Sequence, residues 1–166
     1  MIWSVASGRM KMSQTTPSTV SRLTSRNFNE LLPTIFPDVP CPIDPRGNRV
    51  LVQIATPVEK TDGGIILPGS EIDVQKWTQK LCKVLRLGKL AYRDRDTLEE
   101  WPEGPWCKVG EYIRIPQYGG DRTEIVVPPE LSKYDGHVAL FATISDRDVW
   151  SGVDEGFNPL TLKGWF

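Results

Sequence analysis

Cys41, Cys82, Cys107 and the lone His137 are the residues best suited to bind a metal or act as nucleophiles, and their spacing suits neither task. No two cysteines form a Cys-x-x-Cys pair, and His137 opens the apolar run 137–141, where it reads as a strand residue. No metal site is expected. Three thiols, odd in number and far apart, predict a reducing compartment with the cysteines serving as small hydrophobes. Asp44, Asp94, Asp96, Glu99 and Glu100 could supply a general acid and base, but they stand in charge-mixed, loop-like sequence that predicts a solvated surface. Arg93-Asp94-Arg95-Asp96 alternates in sign, which suits an exposed hairpin tip. A phosphate loop is missing, since Gly63-Gly64 leads into aliphatics and not a lysine, and there is no Gly-x-Ser-x-Gly elbow. The chain is therefore expected to be no enzyme and to hold no cofactor.

Apolar recognition is the chemistry that stands out. In Thr61-Asp62-Gly63-Gly64-Ile65-Ile66-Leu67-Pro68-Gly69-Ser70, three large aliphatics lie between paired glycines and a Pro-Gly. Glycine loses the most backbone freedom on ordering and proline cannot donate to a ladder, so the run is a poor strand and a worse helix. Two readings stand. Gly63, Gly64, Ile65, Ile66, Leu67 and Pro68 form a mobile hook for a partner's groove, or a tight turn tucks the aliphatics into the home core.

Aromatic residues make a second set. Trp101-Pro102-Glu103-Gly104-Pro105-Trp106 has the make-up of a rigid aromatic turn. It would either bind a proline-rich or carbohydrate ligand or pack a long loop onto its own domain. Trp150, Trp165 and Phe166 lie near the carboxyl end, where a short tail has no core of its own, and read as docking anchors.

The elements that must position these groups are short. Fourteen prolines and fourteen glycines cut the chain into pieces suited to an all-β fold. Gly47-Asn48-Arg49-Val50-Leu51-Val52-Gln53-Ile54 is a β-branched strand, and Lys83-Val84-Leu85-Arg86-Leu87-Gly88 is another. Lys108-Val109-Gly110-Glu111-Tyr112-Ile113-Arg114-Ile115 leads into Pro116-Gln117-Tyr118-Gly119-Gly120. His137-Val138-Ala139-Leu140-Phe141 and Ile144-Ser145-Asp146-Arg147-Asp148-Val149-Trp150 close the pattern.

This order resembles the co-chaperonin family of GroES-like small chaperonins over roughly residues 45–150. The Gly-Gly-Ile-Ile-Leu-Pro loop and the Lys-Val-Gly to Tyr-Gly-Gly block carry the likeness most specifically. Asn48 stands where the family usually has Asp, and Cys82 where it usually has Gly. The segment 89–107 is longer and richer in tryptophan than the family's roof hairpin. The resemblance implies a small, partly open antiparallel β-barrel with a mobile hydrophobic loop, an enlarged roof hairpin and extended arms at both ends. It also implies a sevenfold dome-shaped ring, in which Ile65, Ile66 and Leu67 dock into the apical domains of a large ATP-driven chaperonin. Trp101 and Trp106 would then make roof or assembly contacts, and Trp165 and Phe166 would dock the tail. A different class of reading also stands: a GroES-fold virion structural or capsid decoration protein that uses arms and loop to hold neighbouring subunits. Phages carry divergent co-chaperonins, so a viral source fits both. A standalone peptide- or sugar-binding module is the third.

Outer limits agree with one domain and appendages: an arm over 1–43, a barrel over 44–150 and a tail over 151–166. Twenty basic and twenty-one acidic residues give a net charge of −1, no footprint for nucleic acid or an anionic membrane. No apolar run approaches the ~20 residues of a membrane span. Residues 1–26 carry Arg9, Lys11, Arg22 and Arg26 and no acid. They read as an arm that orders on a neighbour, as a mitochondrial transit peptide, or as a start assigned too early, since Met10 and Met12 follow. The expected location is cytoplasmic: the host cytoplasm for a viral chain, the virion under the structural reading, the mitochondrion for a transit peptide. Residues 29–32 suggest a helical turn that Pro33 and Pro37 stop. Residues 1–38 are expected to be dispensable for folding of the barrel.

Overall fold

The structure is a computed structural model and describes residues 32, 33, 35–56, 74, 78–130 and 138–161. Six strands form one antiparallel sheet: β1 (Arg49–Ile54), β2 (Leu81–Leu87), β3 (Tyr112–Arg114), β4 (Asp121–Val126), β5 (Val138–Ser145) and β6 (Ser151–Gly152). Their order is β4-β5-β1-β2-β3-β6, so the sheet stays open between β4 and β6. This is the partly open all-β architecture that the sequence predicts.

β1 is central because both of its faces can be buried. Val50, Val52 and Ile54 point into the main core with Cys82, Val84, Ile113, Ile115, Leu140, Ala142 and Ile144. Leu51 points the other way, into a second cluster with Val39, Cys41, Val127, Ala139 and Phe141. Each such side chain contributes about 1.5–3 kcal/mol by leaving water. β2 matches β1 only by carrying one extra residue. Leu51 pairs with Arg86 but Val52 pairs with Val84, which leaves Leu85 as a bulge. The bulge shifts the alternation, so Leu85 packs on the second cluster while Val84 and Leu87 both serve the first.

Two glycines fix how β1 and β2 begin and end. Gly47 has φ +61°, a left-handed conformation that suits glycine, and turns the chain into β1. Gly88 lies under that turn: its N–H donates to Arg49 O at 2.8 Å. A Cβ there would meet Gly47 O and stand 2.7 Å from Arg49 O.

The residues before the sheet are irregular but packed. A helical turn at Leu32 is closed by Phe36 N–H donating to Leu32 O at 2.8 Å. Ile35 and Phe36 then bury against Ala55, Leu81 and Leu160. Gln53 is buried, and its Nε2 donates to Pro37 O at 2.8 Å. The expectation that residues 1–38 are dispensable is at odds with Ile35 to Pro37, because Ile35 and Phe36 pack on Ala55, Leu81 and Leu160 and Pro37 O accepts from the buried Gln53 of β1. The turn runs through Pro33, which was expected to stop it, and ends before Pro37, while residues 29–31 lie outside the described residues.

Other expectations shift in detail. The strand expected over 108–115 is regular only over Tyr112–Arg114, because Gly110 takes φ +89° in a turn. Val138–Ser145 is one continuous strand. β4 was not anticipated: Asp121–Val126 is mostly exposed and its sequence carries little apolar signal.

Candidate partner-binding site

β1 and β2 form a hairpin, and the two roots of the chain between them are held side by side. Ile54 pairs with Cys82, and Ala55 N–H donates to Leu81 O at 2.9 Å. The hook residues Gly63, Gly64, Ile65, Ile66, Leu67 and Pro68 lie outside the described residues. Their exit point is defined at the Ile54/Leu81 end of the hairpin. The segment after Gly88 leaves from the opposite end, roughly 20 Å away for a strand of this length.

That second segment is a hairpin with its own order. Arg93 and Glu100 form a β-bridge. At the tip, Asp94 Oδ1 accepts from Asp96 N–H at 2.8 Å and Thr97 N–H at 3.0 Å. These backbone bonds hold the exposed Asp94 carboxyl below its ordinary range. Residues 93–100 are all exposed, as the alternating charges imply.

The base of this roof is aromatic and faces home. Trp101 meets Tyr92 edge-on at 5.5 Å and Trp106 at 5.2 Å between ring centroids. Arg147 lies over Trp101, its Cζ 5.8 Å from the ring centroid. Trp106 Nε1 donates to Glu103 Oε2 at 2.9 Å. Tyr92 is 2% exposed and Cys107 1%, and both belong to the main core. Their Oη and Sγ atoms lie 3.0 Å apart. Burial pushes the Tyr92 phenol far up and the hydrogen bond to Cys107 adds to it; burial also pushes the Cys107 thiol up. Both groups are neutral at physiological pH. Trp106 keeps 40% exposure, so the roof offers an aromatic edge as well as packing.

Tyr92 has φ 59°, a conformation that costs a bulky residue about 1 kcal/mol or more. Asp146 holds it there. The carboxylate is 1% exposed. Its Oδ2 accepts from Tyr92 N–H at 3.2 Å, and its Oδ1 from Asn48 Nδ2 and Ser145 Oγ, each at 3.2 Å. Asn48 also receives Asp146 N–H on its carbonyl at 3.1 Å and Arg95 Nη2 on its side chain at 3.1 Å. Asp146 thus ties the turn before β1, the end of β5 and the roof into one knot. Sequence reasoning singled out Asn48 but missed this partner, 98 residues away. The single available signal was the family's usual Asp, since a second carboxylate could not donate to Asp146.

Of the remaining residues, Trp165 and Phe166 lie outside the described residues, and so does His137. Trp150 is 63% exposed, with its N–H donating to Arg114 O at 2.9 Å. Cys41, Cys82 and Cys107 are buried and free. Among the described residues, no helix is long and apolar enough to cross a membrane.

An open six-stranded antiparallel sheet, with a long excursion at one end of its central hairpin and an elaborated hairpin at the other, defines a small all-β barrel protein. The model of the family described as Chaperonin 10 Kd subunit (Cpn10) matches residues 42–134, more than half of the chain. The chain belongs to this co-chaperonin family.

Proposed function

We propose that this chain is a co-chaperonin ring subunit that caps a large ATP-driven chaperonin through Ile65, Ile66 and Leu67. Beyond family membership, the observation that carries the reading is the pinning of the hook's roots between β1 and β2. A rigid base with a glycine-flanked aliphatic run beyond it presents the run to a groove. Three aliphatic side chains gain several kcal/mol on burial at ~25 cal/mol per Å². Ordering costs ~1–2 kcal/mol per residue, so a hook that orders only about five residues at the contact is close to break-even. A ring of hooks turns weak contacts into strong, reversible capping. The nucleotide belongs to the partner.

Ile66→Asp tests this. A carboxylate in an apolar groove costs several kcal/mol per site. The variant should keep wild-type circular dichroism and oligomer size while losing ATP-dependent pull-down by a chaperonin ring. Unfolding of the variant would place the aliphatics in the home core. Wild-type protein that never binds a chaperonin under ATP would sink the capping function.

A further inference from the structure

A groove of about 960 Å³ lies along the β3–β6 edge, and three of its walls are aromatic: Trp106 of the roof, Tyr112 of β3 and Phe157 after β6. Phe157 is 53% exposed and Trp106 40%. Large rings left open on one concavity mark a face that takes a ligand. Trp106 is set in place beforehand. Its Nε1 donates to Glu103 Oε2, and its ring meets Trp101 edge-on. A wall fixed in this way loses little freedom when something docks on it.

The same groove is acidic. Glu111, Asp154 and Glu155 line it, and Lys108 is the one cation among its lining residues. Glu111 is also held, since its Oε2 accepts from Lys108 N–H at 2.9 Å. Fixed carboxylates beside fixed rings select a partner that is both basic and apolar. The backbone at this border narrows the choice further. β6 is two residues long, so an incoming peptide strand finds little ladder to extend. A segment in the polyproline II form needs no ladder. It has no internal hydrogen bonds, arrives already ordered, and docks in aromatic-lined grooves through its side chains.

We propose that this groove binds a proline-rich, basic segment of a partner protein in the polyproline II form. Its prolines lie on Trp106, Tyr112 and Phe157, and an arginine or lysine of the segment pairs with the carboxylates of Glu111, Asp154 and Glu155. The inference stands apart from the chaperonin reading, and its test needs no chaperonin.

Fluorescence anisotropy of the labelled synthetic peptide Arg-Pro-Pro-Leu-Pro-Pro-Arg, titrated with the full-length protein, reads this docking. Saturable binding with a Kd below about 1 mM is expected. Two control peptides, one with glutamate in place of arginine and one with alanine in place of proline, should bind roughly tenfold or more weakly. Phe157→Ala and, separately, Asp154→Lys/Glu155→Lys should each weaken binding of the first peptide roughly tenfold or more, with circular dichroism unchanged. Phe157→Ala keeps every charge and guards against misfolding of the double variant. Absence of saturable binding to the wild type would overturn the proposal, as would undiminished binding in either folded variant or equal binding of either control peptide. Binding that emerges only when the protein is diluted to monomer would seat a second copy of the chain in the groove, and would overturn it too.

Discussion

At the scale of single residues, Asn48 and Asp146 show how one amide sets a joint. Asn48 Nδ2 donates to a buried carboxylate, so Asn48→Asp would set two acceptors face to face. The expected cost at neutral pH is about 1–3 kcal/mol; the exposed Arg95 contact returns only a few tenths. The loss should be read as a lowered urea midpoint of the variant against wild type at pH 7; equal midpoints would show that the joint does not depend on the Asn48 donor. The buried thiols and phenol predict a pH effect. Cys82, Tyr92 and Cys107 all have folded pKa values raised above ordinary ones, 9.0 for the thiols and 10.0 for the phenol, in each case mainly by burial. A raised folded pKa means that stability is intact below pH 9 and falls as pH climbs beyond it, because the unfolded chain loses its protons first. Fully buried Cys82 alone should contribute up to ~1.4 kcal/mol per pH unit. Cys82→Ala should flatten the alkaline limb of a denaturant-midpoint profile; an identical slope would show that water reaches the thiol.

At the scale of elements, the packing of Ile35, Phe36, Val39 and Cys41 sets where the chain can be cut. Removal of residues 1–31 should change the unfolding free energy by no more than ~1 kcal/mol. Removal of residues 1–43 takes away four buried apolar side chains and the acceptor of Gln53 Nε2. At about 1.5–3 kcal/mol each, that is on the order of 6 kcal/mol or more, comparable with the stability of a small domain. Thermal melts of the two truncations should differ accordingly, and equal midpoints would show the segment to be ornamental. The sequence disclosed β1 plainly, because a strand buried on both faces is apolar at nearly every position. It disclosed the roof tip through the charge alternation of residues 93–96. It hid β4, where Asp121, Arg122, Thr123 and Glu124 carry backbone pairing to β5 without an apolar face to announce it. It hid the Leu85 bulge too, because an alternation that slips by one residue looks like a weak strand and not a shifted one. Leu32 to Asp38 read as arm because prolines break periodicity, and periodicity says nothing about irregular chain that still buries side chains.

At the scale of the whole molecule, an open sheet leaves backbone hydrogen-bonding groups at both borders. β4 exposes Val126 to 72%, and β6 is only two residues long. Borders of this kind attract partners of the same kind, and a ring satisfies them all. Multi-angle light scattering at micromolar concentration should therefore give a mass several times 18.7 kDa. A clean monomer would count against ring assembly and leave the family assignment standing. The opposed exits of the two excursions have a mechanical consequence. A tug on the hook against a fixed roof runs along β1 and β2, parallel to the strands. The covalent backbone of β2 joins the two excursions directly, so it carries that tension and no hydrogen bond of the sheet has to break. The subunit is consequently stiff along the hook-to-roof direction and weaker across it. A load entering at the Ile54/Leu81 end of the hairpin is passed on to the roof hairpin with little deformation of the sheet between.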